Sequence, residues 1–421
     1  MYKSRSLDVR VGDCLTAFRI VSLTGARQVG KTTLVQQLCR ETGRRYATLE
    51  DPVARGAAAA DPDGWLAANP PPLAIDEVQH VPGLFPALKR RVDRDAAPGQ
   101  YLITGSALWL SMRTIGESLA GRAVLLEMWP LRASEWLQQK PWDWDVLLDP
   151  HGWRSIPTPQ PAPEAVLREA ILRGGYPEPA AIADSSRRRL WHESYLRTYL
   201  QRDVLDMVRL EHVAEFTRLI RLLAGQTGAL LNQSALARDL GLPQPTVRRH
   251  IEWLRITYQG HLLPPYSSHL GKRLVKTPKL YWTDTGMAAA LAGLSDWDAV
   301  EAAQKAGLLL ETWVVNDLRA WNAGPAGGEL FFWRSHDGGE VDVLLEKSGM
   351  VTGIEIRRGH RVDARDLKGL RECRAALGPR FRNGIVLYGG SEVLGIEDRI
   401  VAVPLAVLLP PSDESSSSSR N

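Results

Sequence analysis

A chain of 421 residues with 44% hydrophobic and 24% charged residues has the composition of a globular protein with room for two to four domains. Its longest apolar runs, Leu308–Leu310 and Ala402–Leu409, are too short to cross a bilayer, and the charged start Met1–Arg10 leads into no apolar signal core. Three scattered cysteines (Cys14, Cys39, Cys373) form neither a disulfide framework nor a metal-ligand pair, so a soluble cytoplasmic protein is expected.

An apolar run over residues 18–23 predicts a strand, and the helical stretch Thr33–Leu38 lies beyond it. Between them stands Gly25-Ala26-Arg27-Gln28-Val29-Gly30-Lys31-Thr32, with the spacing GxxxxGK[ST] of a phosphate-binding loop. The glycines let main-chain N–H groups wrap a phosphate chain at a helix N-terminus, where the dipole favours negative charge. Gly25 to Thr33 would line the phosphates, Lys31 would reach the β- and γ-phosphates, and the Thr32 hydroxyl would ligate Mg²⁺. Downstream, the apolar segment Leu73-Ala74-Ile75 runs into Asp76 and Glu77, the Walker B pattern. Asp76 would hold Mg²⁺ and Glu77 would orient or deprotonate the attacking water. A helix over Pro86–Asp95 and a strand over Tyr101–Thr104 follow, and such β–α alternation predicts a parallel sheet.

Past a proline-rich break at Pro157–Pro163, the pattern is helical from Glu164 to Ala224, interrupted by the turn Gly174-Gly175-Tyr176-Pro177. Asn232–Leu240 reads as a helix ended by Gly241, and Pro243–Leu254 as a second helix carrying Thr246, Arg248 and Arg249. With strands at residues 260–263 and 276–282, this pattern predicts a winged helix-turn-helix. Residues 196–283 hold 13 Arg and Lys against 6 Asp and Glu, which points towards nucleic acid or another polyanion, with double-stranded DNA the candidate partner. A purely protein-binding helix-turn-helix is the alternative. Residues 305–408 read as a helix, strands Leu330–Trp333, Glu340–Glu346 and Gly353–Arg357, a helix from Ala364 and a strand Gly384–Tyr388. The tail Pro410–Asn421, with five consecutive serines, is expected to be disordered.

These segments resemble the prokaryotic AAA-type ATP-binding proteins that join an AAA_14 ATPase domain to a C-terminal DUF4143 domain. The resemblance rests on LTGARQVGKTTL, LAIDEVQHVPGL, LITGSA, ESLAGRAVLLEMWPL, GGYPE, YLQRDV, KTPKLYWTDTGM, WRSHDGGEVDVLLE and GIEIRR, from about Arg19 to Tyr388. It implies an α/β protein in five parts. These are a P-loop ATPase domain (1–160), a helical linker (161–225), a winged helix (226–295), a PD-(D/E)XK nuclease-like domain (296–409) and a tail (410–421). In AAA-type ATPases a polar residue at the end of the strand between the two motifs senses the γ-phosphate, which makes Thr104 or Ser106 the candidate. Arg122 is the candidate charge-neutralising arginine, acting on its own chain or on a neighbour in an oligomer.

A nuclease of the implied fold needs acidic metal ligands and a lysine. Glu340 and Asp342, at alternate positions of one strand, share a face. Glu355 on the next strand is the third candidate ligand of this second metal, and Glu311 from a preceding helix would join them. The position two after Glu355, where lysine is expected, holds Arg357, a poor proton acceptor. Lys368 is the candidate replacement. The expectation is therefore an ATP- and Mg²⁺-dependent ATPase with a DNA-binding-like middle and an inactive nuclease-like end. An ATP-gated metal-dependent nuclease and a nucleotide switch that binds a protein partner are the alternatives.

Overall fold

The computed structural model describes residues 2–105, 119–139, 143–156, 164–199, 213–267, 277–323, 327–335 and 338–409. The expected disordered tail and the proline-rich break lie outside them.

Five parallel strands make the first sheet: β1 (Ile20–Gly25), β2 (Arg45–Thr48), β3 (Leu73–Asp76), β4 (Tyr101–Thr104) and β5 (Ala123–Met128). Their order is β2-β3-β4-β1-β5. Every residue of β1, β3 and β4 is buried, as expected when helices cover both faces of a parallel sheet. Val21, Leu23 and Leu102 pack with Leu34 and Val35 of the helix Lys31–Thr42. On the other face, Ile20, Tyr101 and Ile103 pack with Leu84, Phe85 and Leu88 of the helix Leu84–Arg94. That helix starts two residues before the expected Pro86, because Leu84 and Phe85 already face the core. This strand order places the end of β4 between the ends of β1 and β3, which builds the site described below.

The middle of the chain is helical over Glu164–Arg173, Pro177–Ala180, Ser185–Tyr199 and Val213–Ala224. The helix Gln233–Leu240 is capped by the Asn232 side chain, which accepts from the Ala235 N–H, and stops at Gly241 in the left-handed conformation (φ 65°). The helix Gln244–Ile256 packs against it, followed by β6 (Gly260–Leu263) and β7 (Lys279–Trp282), paired antiparallel. Gly174 and Gly175 lie against Asp284, whose Oδ2 accepts from the Gly175 N–H at 2.5 Å and whose Oδ1 caps the helix Thr285–Leu291. A Cβ on Gly174 would meet Asp284 Oδ1 at 2.4 Å, so two distant turns fit only with glycine there.

The C-terminal part is a mixed six-stranded sheet. It comprises β8 (Glu329–Arg334), β9 (Glu340–Lys347), β10 (Met350–Ile356), β11 (Phe381–Tyr388), β12 (Leu394–Glu397) and β13 (Ile400–Pro404). The order is β12-β13-β11-β10-β9-β8, with β10, β11 and β13 parallel. The helix Ala306–Asn322 packs on one face, and Leu370 and Cys373 of the helix Lys368–Leu377 on the other. The helix expected from Ala364 begins four residues later, because the Asp363 carboxylate accepts the N–H groups of Arg365 and Asp366 and holds a turn there.

The units are joined by buried polar contacts and a shared core. One apolar cluster runs from Val11 and Leu23 through Phe216 and Val247 to Ile354 and Leu405. Arg132 Nε and a terminal guanidinium nitrogen each donate to Asp317 at 2.9 Å, and Trp144 Nε1 donates to the same carboxylate at 2.9 Å. No helix among the described residues is long and apolar enough to cross a membrane, and the three cysteines are free and buried.

Candidate functional site: a nucleotide pocket and a closed acidic cluster

Gly25 sits at φ 146° at the end of β1, and a Cβ there would meet Met128 O at 2.3 Å. Gln28 (φ 60°) and Gly30 (φ 102°) also take left-handed backbone, which curls the loop back on itself before the helix begins at Lys31. No side chain caps that helix, so its first N–H groups are left for an anion. Arg5, buried behind the loop, donates to Val29 O and, at 2.8 Å, to Trp129 O.

Lys31 is 6% exposed, and its ammonium donates to Gly25 O at 3.1 Å and Ala26 O at 2.8 Å. Burial pulls its pKa down to about 8 against the opposing pull of Glu77 and Asp76. A buried cation resting on the loop's own carbonyls, beside uncapped N–H groups, suits a polyphosphate. Thr32 Oγ1 donates to Asp76 Oδ2 at 2.9 Å, bringing together the two expected Mg²⁺ ligands from motifs far apart in the chain. Tyr46 donates to the same oxygen at 2.9 Å, and Thr104 donates to Asp76 Oδ1. Thr104 Oγ1 also accepts the Glu77 N–H at 3.1 Å. Glu77 itself is left-handed (φ 56°) and its carboxylate accepts from Gln79. Lys31, Thr32, Asp76, Glu77 and Thr104 therefore converge on one pocket. Ala26, Val29 and Thr33 lie along its loop and helix, while Ser106 lies outside the described residues.

Arg122 does not join them within its chain. It precedes β5, whose first residue pairs with Ile20 at the far end of β1 from Gly25. There its guanidinium makes two bonds to Asp93, at 2.6 and 2.9 Å. Parallel pairing of β1 and β5 sets that distance, about 20 Å at the usual rise per residue.

The acidic residues of the C-terminal part also converge, around a cation the sequence did not single out. Lys279 of β7 is 4% exposed, and its Nζ lies 2.9 Å from Glu311 Oε1, 2.8 Å from Glu340 Oε1 and 4.0 Å from Asp342 Oδ1. Those carboxylates raise its pKa against the cost of burial, so it is firmly protonated. Arg357 closes the other side: it pairs with Glu355, lies 3.8 Å from Asp342 Oδ2, and bonds Asp366 at 2.8 Å. Asp342 Oδ2 further accepts the Ile356 N–H at 2.8 Å. Burial raises the pKa of Asp342 and Glu355, and pushes Glu311 up to about 7.

Glu340, Asp342 and Glu355 thus do not make an open second metal site. Among the described residues no group of three His, Cys, Asp or Glu side chains is spaced to hold a metal ion. Ammonium and guanidinium groups already neutralise these carboxylates. Lys368, the expected replacement lysine, is half exposed and lies 3.8 Å from Glu372.

Arg248 and Arg249 are exposed on the helix Gln244–Ile256. Much of the basic excess, including Arg202, Arg209, Lys272, Arg273 and Lys276, lies outside the described residues.

Family models match residues 17–137 as an AAA domain, 164–298 as a domain of unknown function (DUF8612) and 306–408 as a domain of unknown function (DUF4143). Two curated relatives are "Uncharacterized protein Rv2008c" of Mycobacterium tuberculosis and "Uncharacterized protein Mb2031c" of Mycobacterium bovis. Each is 30% identical over 410 residues, which cover 97% of this chain and 85% of the relative. The chain belongs to the AAA_14–DUF4143 family. Among solved structures, a Walker-type ATPase of Pyrococcus abyssi is similar at 14% identity and a TM-score of 0.42, over 69% of this chain and 96% of that one. The RuvB Holliday junction branch migration motor of Thermotoga maritima follows at 16% identity and a TM-score of 0.28, over 61% and 89%. This member of the family therefore carries an α/β AAA-type ATPase domain that binds nucleotide, followed by a mixed-sheet DUF4143 domain.

Sequence reasoning missed Arg5, Tyr46 and Lys279. Lys279 stood within the motif KTPKLYWTDTGM, yet nothing local marks which lysine of such a motif is buried.

Proposed function

We propose that this protein hydrolyses ATP with Mg²⁺ and couples its nucleotide state to a winged helix that contacts duplex DNA. The observation that carries the reading is the Thr32–Asp76 contact at 2.9 Å beside a buried Lys31. Mg²⁺ held by Thr32 and Asp76 would neutralise phosphate charge during transfer. Lys31 would leave the loop carbonyls for the β- and γ-phosphates, and Glu77 would orient the attacking water. Thr104, bonded to Asp76 and to the Glu77 N–H, would hold the two acids in register.

The pair of helices Gln233–Leu240 and Gln244–Ile256, with the ribbon of β6 and β7, supports the winged-helix reading, and exposed Arg248 and Arg249 are the proposed phosphate or groove contacts. On this reading residues 296–409 are a nuclease-like body that does not cleave, because Lys279 and Arg357 occupy its carboxylates.

An ATPase assay with and without duplex DNA tests the proposal. Lys31→Ala should abolish turnover, Glu77→Gln should keep binding but slow turnover by about 100-fold or more, and DNA should stimulate the wild type. Arg248→Ala and Arg249→Ala should each weaken DNA binding and reduce its salt slope by about one. Turnover that survives both pocket variants would overturn the reading.

A further inference from the structure

Two neighbouring residues at the end of the helix Gln244–Ile256 reach the phosphate-binding loop. The hydroxyl of Tyr258, a residue in left-handed backbone (φ 57°), lies 2.9 Å from Thr24 Oγ1, immediately before Gly25. Gln259 Nε2 donates to the hydroxyl of Tyr195 at 3.1 Å, and that hydroxyl donates to the Arg27 carbonyl, inside the loop, at 3.4 Å. The Tyr195 ring is fixed by stacking on Trp191 (centroids 5.2 Å apart, 13° between planes) and by Tyr176 at 5.3 Å.

The Arg27 carbonyl and the Gln28 N–H belong to one rigid peptide plane, so fixing the oxygen fixes the direction of the N–H. Gln28 is the non-glycine residue of the loop held at positive φ, a strained conformation that persists only when its surroundings impose it. Tyr195 supplies part of that imposition. Tyr258 supplies the other anchor through Thr24, and it lines a cavity of about 460 Å³ with Glu127, His261 and Arg319.

We infer that Tyr195 and Tyr258 are positioning residues: Tyr195 aims the Arg27–Gln28 peptide at the phosphates, and Tyr258, through Thr24, helps tie the loop's setting to the helix Gln244–Ile256. This rests on the proposal that the loop binds Mg-ATP, and it adds the route by which the bound state reaches the helices. Nucleotide that turns the loop peptide must shift Tyr195, hence Gln259, hence the helix end; DNA on the helix would act back along the same path.

The full chain and its Tyr195→Phe/Tyr258→Phe double variant, which keeps both rings and loses both hydroxyls, are the test. Nucleotide affinity is measured with a non-hydrolysable ATP analogue and Mg²⁺, and amide hydrogen exchange is followed across residues 244–256 with and without it. The wild type should bind the analogue and change its exchange there. The double variant should melt within about 3 °C of the wild type, bind about 3- to 10-fold more weakly as expected for lost neutral hydrogen bonds, and lose most of the exchange response at saturation. Restoring Tyr195 alone should recover the affinity. A double variant with wild-type affinity and response overturns the inference, as does a wild type that binds the analogue with no change in the helix. A wild type that fails to bind the analogue takes down the ATP reading and this inference together.

Discussion

Replacing Lys279 by methionine removes the ammonium from among Glu311, Glu340 and Asp342 while keeping the length of the side chain. The cation is nearly enclosed, its side chain 6% exposed against 13%, 31% and 11% for the three carboxylates. Breaking a buried ion pair by removing one partner costs about 3–5 kcal/mol, because the stranded charge loses both water and partner. Against a typical stability of about 5–15 kcal/mol, such a loss is large.

The cost should depend on pH. Glu311 already has its pKa pushed up to about 7, and without Lys279 it rises further and takes up a proton. A carboxyl with a raised folded pKa binds more protons folded than unfolded, so its stability contribution is present at low pH and is lost as pH rises. The Lys279→Met penalty should therefore be small near pH 5 and reach the full figure near pH 8. Urea unfolding followed by tryptophan fluorescence at the two pH values measures it. A variant within about 1 kcal/mol of the wild type at pH 8 would refute the resident-cation reasoning.

Two further outcomes follow from buried charges. Lys31 titrates near 8 because of burial, and triphosphate should raise that value again. Mg-ATP binding should take up about 0.7 proton at pH 8.5 and almost none at pH 6.5, with affinity falling as pH rises above 8. Calorimetry in buffers of different ionisation heat reads the uptake, and none at pH 8.5 would contradict the assignment. Asp317→Ala should cost about 3–5 kcal/mol by removing the buried carboxylate that Arg132 and Trp144 share between the ATPase and C-terminal parts. Arg132→Met/Asp317→Leu should recover most of it, and a melting temperature unchanged in the single variant would argue against the bridge.

The nucleotide pocket was legible in the sequence because its chemistry is local. The GxxxxGK[ST] spacing fixes a loop and a helix start within a dozen residues, and Leu73–Asp76 and Tyr101–Thr104 are apolar enough to read as buried strands. Strands β2 and β5 escaped because both lie at sheet edges with exposed or half-buried residues, which blurs the apolar signal.

The sequence by itself determined the class of ligand and the α/β pattern, since both follow from residue types at short spacings. Tertiary structure alone decided which charges meet. Parallel pairing of β1 with β5 carried Arg122 away from the loop, and the packing of β7 against the C-terminal sheet drove Lys279 into the acidic cluster. Such encounters depend on strand order and on the three-dimensional path of the chain, and no local pattern encodes them.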